Sequence, residues 1–355
     1  MSSSFGQIFK ITTFGESHGA GIGVVVDGVP SGIPLTTDDI QVDLDRRRPG
    51  QSLMTTKRKE EDKVEILSGV FDSQTTGAPI GLLIRNKDAQ GVKYDKIKHL
   101  FRPGHADFTY HHKYALRDHR GGGRSSGRET ACRVAAGAIA KKFLESKGIS
   151  ILAATTQVQD VKAKQWIDSE IENNIIRTCD PDVAEAMAER VKAAMSQADS
   201  VGGVVECRVL GAPVGLGEPL YDKLDAMLAH AMFSIGTIRG LTFGNGFESA
   251  ELLGSENNDA MGKDGFLSNK CGGILGGLSN GMPIVMKMVI KPTASVATYQ
   301  DTVDIEGNPE KIRVEGRHDP CICPRAVPVI EAMAAVTIMD AYLLACTQNP
   351  HYKAY

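Results

Sequence analysis

The stretch AVPVIEAMAAVTIMDAYLLA, residues 326–345, is apolar on nearly every face of the helix that it predicts. Its large apolar side chains are too many for one stripe and include Val329, Ile330, Met333, Val336, Ile338, Met339 and Leu343. A helix with this pattern has to be covered by protein on several sides. We therefore predict a buried helix over residues 326–345, around which the rest of the fold packs.

The remainder of the chain interleaves strand-like and helix-like segments. Apolar alternation bounded by turn residues predicts two strands around residues 15–19 and further strands at residues 64–71, 79–85, 149–158, 203–210 and 283–290. Helices are predicted over residues 181–197 and 220–233, and from Thr36-Thr37 into Arg46-Arg47-Arg48, before Pro49-Gly50. The lack of a proline-rich linker, a low-complexity tract or a clear repeat favours one mixed domain over residues 1–355, with the polar 160–199 segment at its periphery.

Residues 121–129, GGGRSSGRE, carry the pattern of an anion site. Ser126 and Glu129 have the spacing of a capping box, so a helix should begin near Ser126 and end before Gly148. The unpaired N–H groups of its first turn would face the glycine turn and favour an anion. Arg124 and Arg128 would each add a charge-assisted contact of ~1.5–3 kcal/mol. The pattern predicts a site for a phosphorylated ligand.

The composition limits the classes of function. The chain has 355 residues, 42% hydrophobic content and a formal net charge of -3 at pH 7, which argues against broad binding to nucleic acid or to a membrane surface. Seven cysteines, an odd number, with no signal-like start favour a reducing intracellular compartment and core thiols. No stretch approaches ~20 consecutive apolar residues, so a soluble protein is expected. Cys321-Ile322-Cys323 lacks the spacer of common zinc sites, and no metal site is predicted.

Two histidines in glycine-flanked loops are candidates for proton transfer. His18 lies beside Glu16 and Ser17 after a predicted strand, and the alternative is a structural histidine bonded to Glu16 or to the backbone. The Ser17-His18 pair is not taken as part of a hydrolase triad, because adjacent side chains rarely point at each other. His105 precedes Asp107, whose carboxylate could orient or charge the imidazole.

Two charged clusters have both a structural and a functional interpretation. Arg46-Arg47-Arg48 at a helix end would complement the helix dipole by ~0.3–1 kcal/mol each, whereas a bound phosphate would use the guanidinium fork directly. Gly316-Arg317-His318-Asp319-Pro320 is either a salt-bridged loop or part of a site. The sequence has no Walker A motif, no GxGxxG after a first strand, no HExxH and no CxxC. P-loop ATPases, NAD dehydrogenases and metal-dependent mechanisms therefore lose support.

Separated motifs add a resemblance to these observations. They are GESHG at 15–19, DRRRPG at 45–50, RPGHAD at 102–107, GGGRSS at 121–126, RET at 128–130, KPTAS at 291–295 and GRHDP at 316–320. In this order they resemble the chorismate synthase family, over nearly the whole chain except residues 160–199. The resemblance implies a single α+β domain with a helical layer sandwiched between two antiparallel β-sheets, a homotetramer and a cytoplasmic location.

The same resemblance implies an activity. It is the anti 1,4-elimination of phosphate and a ring proton from 5-enolpyruvylshikimate 3-phosphate, which gives chorismate. Reduced FMN is required without net redox change, and NADPH is a candidate reductant. By matching motif, His18 should protonate the leaving phosphate, His105 should be the proton partner of the flavin, and Asp319 should take a proton from it. No nucleic acid, membrane or metal partner is implied.

Binding positions also follow from the resemblance. Flavin contacts fall on Arg124, Ser125, Ser126, Gly236, Thr237, Gly276, Lys291, Pro292, Thr293, Ala294, Ser295 and Arg317. Contacts to the substrate or to NADPH fall on Arg47, Arg48, Arg102 and Arg128. Two positions depart from the family pattern. Leu53 stands where relatives often have a second arginine, which leaves open whether Arg58 or a nearby lysine supplies the charge. Gly236-Thr237 stands where relatives often have an Asn-Ala pair.

Two other classes of function remain open at the level of sequence. A binding protein for a phosphorylated metabolite would use the same arginines without proton-transfer groups, and a flavin reductase would consume NADPH stoichiometrically with product. His18, His105 and Asp319 distinguish the lyase from the binding protein, because general acid–base groups normally contribute ~100-fold or more to turnover.

Overall fold

A 26-residue helix, Cys323–Gln348, forms the centre of the fold. The computed structural model describes residues 3–51, 60–87, 91–314, 318–349 and 352 of the chain. Every helix residue from Ala326 to Tyr342 is buried, which confirms the predicted buried helix and extends it at both ends. The helix is long and apolar enough to cross a membrane, but most of it is buried inside the protein, as in the core helix of a soluble protein.

The helices and strands are numbered here in chain order. The helices are α1 Thr37–Arg47, α2 Asp107–Tyr114, α3 Thr130–Glu145, α4 Pro181–Ser196, α5 Leu224–Phe233, α6 Gly254–Asn257 and α7 Cys323–Gln348. Short 3-10 helices are Gly91–Ile97, Gly123–Ser125, Gly127–Glu129, Asp168–Asn173 and Gly246–Glu251. The strands are β1 Ser4–Phe5, β2 Lys10–Gly15, β3 Gly21–Asp27, β4 Val64–Ile66, β5 Val70–Phe71, β6 Gln74–Thr75, β7 Ile80–Arg85, β8 Ser150–Val158, β9 Val161–Lys162, β10 Gly203–Leu210, β11 Ile238–Phe243, β12 Met261–Gly262, β13 Gly265–Phe266, β14 Ile274–Leu275, β15 Leu278–Ser279, β16 Ile284–Ile290, β17 Gln300–Val303 and β18 Pro309–Ile312.

Helices α1, α3 and α7 lie between two five-stranded sheets. The first sheet has the order β1-β2-β3-β7-β4 and the second the order β11-β16-β10-β8-β9, with antiparallel neighbours throughout. Helix α3 packs on β3 and on α7, and α7 packs on β8 and β10. This arrangement confirms an α+β fold with a helical layer between two antiparallel sheets.

The inner face of each sheet supplies the core. In β3, Val24 and Val26 are buried while Val25 is exposed, and in β16 Met286 is buried while Lys287 is exposed. This is the alternation expected of a sheet with one face against helices. Buried side chains of both sheets and of the helical layer join into one hydrophobic cluster. The seven cysteines are free thiols, and five of them are buried in the protein.

Two predicted boundaries away from the anion-site pattern were wrong, and both corrections have a local cause. Helix α5 begins at Leu224 rather than at residue 220, because the N–H of Glu218 bonds to the carbonyl of Asp222 and closes a turn first. The strand predicted at residues 64–71 is divided into β4 and β5, since Gly69 has a φ of +82°. The other predicted strands, α1 and α4 lie within a residue or two of their predicted positions.

Helices α3 and α7 approach each other closely at Gly137. A Cβ added there would lie 2.3 Å from the Cβ of Ala332 and 2.9 Å from its carbonyl oxygen. Such separations are far below van der Waals contact, so only glycine fits. The neighbouring buried residues of α3 are small as well, including Ala136 and Ala140. These small residues allow the two helices to form the thin layer between the sheets.

A buried carboxylate connects the helices to the second sheet. Glu331 on α7 accepts hydrogen bonds from Arg46 of α1 at 2.6 Å and from Lys141 of α3 at 2.7 Å. It also accepts from the backbone N–H of Ala153 on β8 at 3.1 Å. Burial would raise the pKa of Glu331, but the charges of Lys141 and Arg46 outweigh it and lower the pKa to about 2.

Replacing this carboxylate should destabilise the protein. We expect Glu331→Gln to lower the free energy of unfolding by ~1–3 kcal/mol at pH 7. The change removes the buried carboxylate that Arg46 and Lys141 share and leaves them Asp43 and, for Arg46, Glu172 as counter-charges. Since the folded-state pKa is depressed, the stabilisation is present above the ordinary pKa of 4.5 and lost as the pH falls toward about 2. Urea unfolding of both proteins at pH 7 and pH 3 should therefore show a smaller difference at pH 3.

The control is Glu65→Gln, which removes an exposed carboxylate 3.1 Å from Arg85. An exposed ion pair of this kind contributes about 0–1 kcal/mol, so unfolding of this variant should stay close to that of the wild type at both pH values. Equal effects of the two substitutions would contradict the structural role of Glu331.

Candidate active site

One large cavity, about 1410 Å³ in volume, lies between the end of α1 and the starts of α3 and α7. Its wall contains most of the predicted site residues: His18, Arg47, Arg102, His105, Arg124, Ser125, Ser126, Arg128, Gly236, Thr237, Lys291, Thr293, Ala294, Ser295 and Asp319. The volume exceeds the roughly 300–1000 Å³ typical of a site for one small molecule. The separated motifs thus converge on a space large enough for more than one.

Three predicted binding residues lie outside this wall. Arg48 is exposed at the end of α1 and pairs with Asp45 at 3.6 Å. Pro292 is exposed although its neighbours in the KPTAS motif line the cavity. Gly276 lies in the turn between β14 and β15, with a φ of +61°. Arg317, Leu53 and Arg58 lie outside the described residues, so their predicted roles remain predictions.

Two arginines of the wall share one buried carboxylate. Arg47 donates to Asp62 at 2.9 Å and to the carbonyl of Gly127 at 2.5 Å, and Arg128 donates to the other oxygen of Asp62 and to Asn86. Burial lowers the pKa of Arg47 to about 10. Burial opposes ionisation of Asp62, but both guanidinium groups hold its pKa below the ordinary value. One carboxylate thus fixes two cations at the cavity.

The consecutive arginines of the DRRRPG motif have three different environments. Arg46 bonds to Glu331 in the core, Arg47 is buried at the cavity, and Arg48 is exposed. The structural interpretation, three solvated arginines that complement a helix dipole, was therefore wrong for the first two. Successive helix positions point about 100° apart, so the three side chains diverge.

Arg102, a third arginine of the wall, is held by Asp107, the carboxylate that we predicted to orient His105. Asp107 accepts from Nε and Nη2 of Arg102, both at 2.7 Å, and lies 3.0 Å from Arg117. Arg102 also donates to the carbonyl of Gly121 at 3.2 Å. The prediction that Asp107 could orient His105 is corrected by these contacts, because a bidentate guanidinium satisfies the carboxylate directly.

His105 is oriented by other groups. Its Nδ1 lies 2.9 Å from the carbonyl oxygen of Pro103, and its Nε2 lies 2.7 Å from the hydroxyl of Ser295. Burial, and next the charge of Arg102, lower the pKa of His105 below 6.5. The imidazole is therefore neutral near pH 7 and suited to accept a proton.

His18 lies against the glycine turn that precedes α3. Its Nδ1 is 3.0 Å from the hydroxyl of Ser17, so the expectation that these adjacent side chains point apart was wrong. Ser17 is buried, and the ring of His18 meets the ring of Tyr94 edge-on at 5.4 Å. A Cβ added to Gly121 would lie 2.4 Å from Nδ1 of His18. The imidazole thus leaves no room for a side chain at this position of the turn.

The helix start near Ser126 differs from the prediction. The hydroxyl of Ser126 accepts from the N–H of Arg128 and caps the 3-10 helix Gly127–Glu129, after which α3 begins at Thr130. Glu129 accepts from Thr13 and Arg133 at 2.9 Å each, which replaces the predicted capping box. Thr13 lies on β2 and Arg133 in the next turn of α3, so one tertiary contact and one local contact hold Glu129.

Arg124 lies across the end of β2. It donates to the carbonyls of Thr13 and Gly15, each at 3.1 Å, and to the hydroxyl of Thr13 at 2.6 Å. These neutral acceptors do not compensate its charge, and the carboxylate of Glu129 lies 3.9 Å away, beyond hydrogen-bond distance. Arg124 therefore lines the cavity with only a long ion pair to Glu129, and its role in an anion site stays a prediction.

Asp319 lines the cavity beside the start of α7. Its Oδ2 accepts from Arg325 at 2.5 Å, and Arg325 also donates to the carbonyl of Arg47 at 3.2 Å. Burial, together with the neighbouring His105, lowers the pKa of His318 to about 4. The ion pair with Arg325 confirms the salt bridge considered for residues 316–320, and Asp319 also lines the cavity, while its functional role stays a prediction.

Sequence reasoning missed several residues of the site. The motifs found in the sequence do not include Asp62, Arg133, Arg239 or Arg325. Arg325 had one available signal, a lone cation at the start of an otherwise apolar helix. The partners of Asp62 depend on tertiary packing, so that residue had no comparable signal.

The described wall carries more cations than carboxylates, and three candidate proton-transfer groups lie among them. The fold is therefore α+β, and its cavity has the features of an enzyme site for an anionic small molecule, with groups suited to proton transfer.

Comparison with known proteins specifies this class. The family model for chorismate synthase matches residues 9–343 of the chain. A solved crystal structure of a chorismate synthase is 31% identical in sequence; the match covers 96% of this chain and 93% of the other, with a TM-score of 0.77. The chain belongs to the chorismate synthase family. It is accordingly a lyase of the shikimate pathway, and family membership implies a flavin cofactor.

The contact between Gly121 and His18 can be tested directly. We expect Gly121→Ala to lower turnover about 100-fold, because a methyl group at this position displaces the imidazole. Gly121 has a φ of +94°, which adds a backbone cost of ~1–2 kcal/mol for alanine. Phosphate release and urea unfolding measure the two effects.

Gly123→Ala is the matched control, since Gly123 has a φ of +52° but no atom of the described residues within 4 Å of an added Cβ. This variant should carry the backbone cost with little loss of turnover. Equal turnover in the two variants would contradict the proposed contact.

Proposed function

We propose that the chain converts 5-enolpyruvylshikimate 3-phosphate to chorismate by anti 1,4-elimination, with reduced FMN and without net redox change. One observation carries this proposal: His18, His105 and Asp319 line the same cavity as the arginines Arg47, Arg102, Arg124 and Arg128. The reaction expels a phosphate dianion and a proton, so it needs both kinds of group in one place.

The substrate side is supported by the arginine geometry. Arg47 and Arg128 are held by Asp62, and Arg102 is held by Asp107. Cations that are fixed before the reaction stabilise the charge that develops on a leaving group. The protein does not have to rearrange them when the transition state forms. His18, held by Ser17, is the proposed donor of the proton to the leaving phosphate.

The cofactor side is supported by the loop at residues 291–295. Burial and the nearby charge of Arg239 lower the pKa of Lys291, which indicates two cations close together at this wall. Among the described side chains, Oγ1 of Thr293 and Nε2 of His318 are buried without a hydrogen-bond partner. Polar atoms left in this way fit a wall that is completed by a ligand.

The residues that would hold FMN are therefore the predicted ones in the wall: Arg124, Ser125, Ser126, Gly236, Thr237, Lys291, Thr293, Ala294 and Ser295. The chemistry supplied by reduced flavin is transient donation of electron density, which is recovered at the end of the reaction. His105 and Asp319 are the proposed proton partners on this side. NADPH as reductant, a homotetramer and a cytoplasmic location are further parts of the proposal.

The deciding experiment is anaerobic phosphate release from 5-enolpyruvylshikimate 3-phosphate. We expect release with dithionite-reduced FMN in catalytic amounts and none with oxidised FMN. A flavin reductase would instead consume NADPH in proportion to product. A binding protein would bind the phosphorylated compound without releasing phosphate.

The histidines provide the second test. We expect His18→Ala and His105→Ala each to lower turnover ~100-fold or more, because each removes a general acid–base group. His112→Ala, a change at an exposed histidine on α2, is the control and should leave turnover near that of the wild type. Turnover of the first two variants within a few-fold of wild type would remove their proposed roles.

A further inference from the structure

His105 has a contact at each ring nitrogen, and the two contacts differ in kind. The carbonyl oxygen of Pro103, 2.9 Å from Nδ1, can only accept a hydrogen bond. In the neutral ring Nδ1 must therefore carry the hydrogen, which leaves Nε2 as an acceptor. The hydroxyl of Ser295, 2.7 Å from Nε2, is then the donor. The hydrogen-bond network thus assigns the Nδ1–H tautomer to His105.

The two loops that carry this pair are fastened to each other. Lys291 donates from Nζ to the carbonyl of Gly104 at 3.1 Å. Gly104 has a φ of +71°, and a Cβ added there would lie 2.8 Å from the Cβ of Ala294. Ser295 and His105 are therefore presented to each other by packed backbone, although 190 positions separate them in the chain.

Ser295 lies beside the imidazole of His105 at the cavity wall. Both residues line the cavity wall and both are partly buried. Since Pro103 occupies Nδ1 and Ser295 occupies Nε2, the ring has no nitrogen left for a direct bond to a ligand in this arrangement. A proton that passes between His105 and a ligand has to involve the hydroxyl of Ser295.

We propose that Ser295 is the positioning residue of His105. The hydroxyl of Ser295 fixes Nε2 of His105 and passes the proton between this nitrogen and the cavity ligand. This inference rests on the proposed function and changes the role of Ser295 from cofactor contact to partner of the imidazole. The ligand class is an electron-rich heterocycle with a basic nitrogen or oxygen, such as reduced isoalloxazine.

The proton balance is simple. The elimination releases one proton from the substrate ring into the cavity. This proton reaches His105 through the same hydroxyl: it binds Oγ of Ser295 while the hydroxyl hydrogen moves to Nε2, which gives the imidazolium. The Nε2–H bond then breaks as its proton goes to Oγ of Ser295, while the hydroxyl hydrogen of Ser295 moves to the basic atom of the ligand. His105 returns to the neutral Nδ1–H form and Ser295 remains a hydroxyl. No electron is transferred in this step, and no further reactant is needed.

The test compares Ser295→Ala, which removes the hydroxyl, with Ser295→Thr, which retains it. Ser200→Ala is the matched control, because Ser200 donates to the carbonyl of Thr293 in the same loop at 2.7 Å without contacting the ring. Three quantities are measured: steady-state kcat and KM for phosphate release, FMN affinity by fluorescence, and the ¹⁵N resonances of His105 in the protein without ligand.

For Ser295→Ala we expect kcat to fall about 100-fold, the order of a lost proton-transfer group, with KM and FMN affinity within a few-fold of wild type. The Nε2 resonance of His105 should shift in this variant and not in Ser200→Ala. Ser295→Thr should recover most of the lost kcat. A role in cofactor binding alone would instead weaken FMN affinity and leave the Nε2 resonance in place.

A kcat of Ser295→Ala within about three-fold of wild type, or an unchanged Nε2 resonance, would overturn the inference. If the wild-type protein releases no phosphate with reduced FMN, the proposed function fails instead. The resonance then still decides whether Ser295 fixes His105, so the two failures are distinguishable.

Discussion

The burial of α7 between two sheets is the constraint on which the rest of the structure depends. A helix enclosed on all sides cannot carry charge unless the charge is paired. Glu331 is paired with Arg46 and Lys141, and Asp340 accepts the backbone N–H groups of residues 7–9 at 2.8–2.9 Å. These contacts fasten α1, α3 and the first residues of the chain to α7. The cavity then forms where the three helices end or begin.

The site itself is an arrangement of cations that would repel one another without fixed counter-charges. Asp62 serves Arg47 and Arg128, Asp107 serves Arg102, and Asp319 serves Arg325. Each carboxylate lies behind or beside a guanidinium and orients it, while the wall as a whole keeps an excess of positive charge. This excess suits a polyanionic ligand, because the binding of such a ligand completes the neutralisation that the protein leaves unfinished.

Much of this could be predicted from sequence, for identifiable reasons. The apolar helix over residues 326–345, the strands at 203–210 and 283–290 and the capped helix after Thr36 depend on local patterns, and the structure agrees with them. The resemblance to chorismate synthases supplied the sheet arrangement. Local patterns could not show which of three adjacent arginines faces the cavity, because distant carboxylates decide it. They also could not show that Ser295 meets His105, since no local pattern links residues so far apart in the chain.

The close approach of α3 and α7 at Gly137 has a consequence for the chemistry. The 3-10 helix that leads into α3 carries Arg128 in the cavity wall, and the amino end of α7 carries Arg325. A single glycine in the core thereby sets the spacing between two helices whose first residues contribute to the cavity wall. An added methyl group at residue 137 would push α3 and α7 apart. The dimensions of the cavity thus depend on a residue of the hydrophobic core as well as on the polar residues that line the wall.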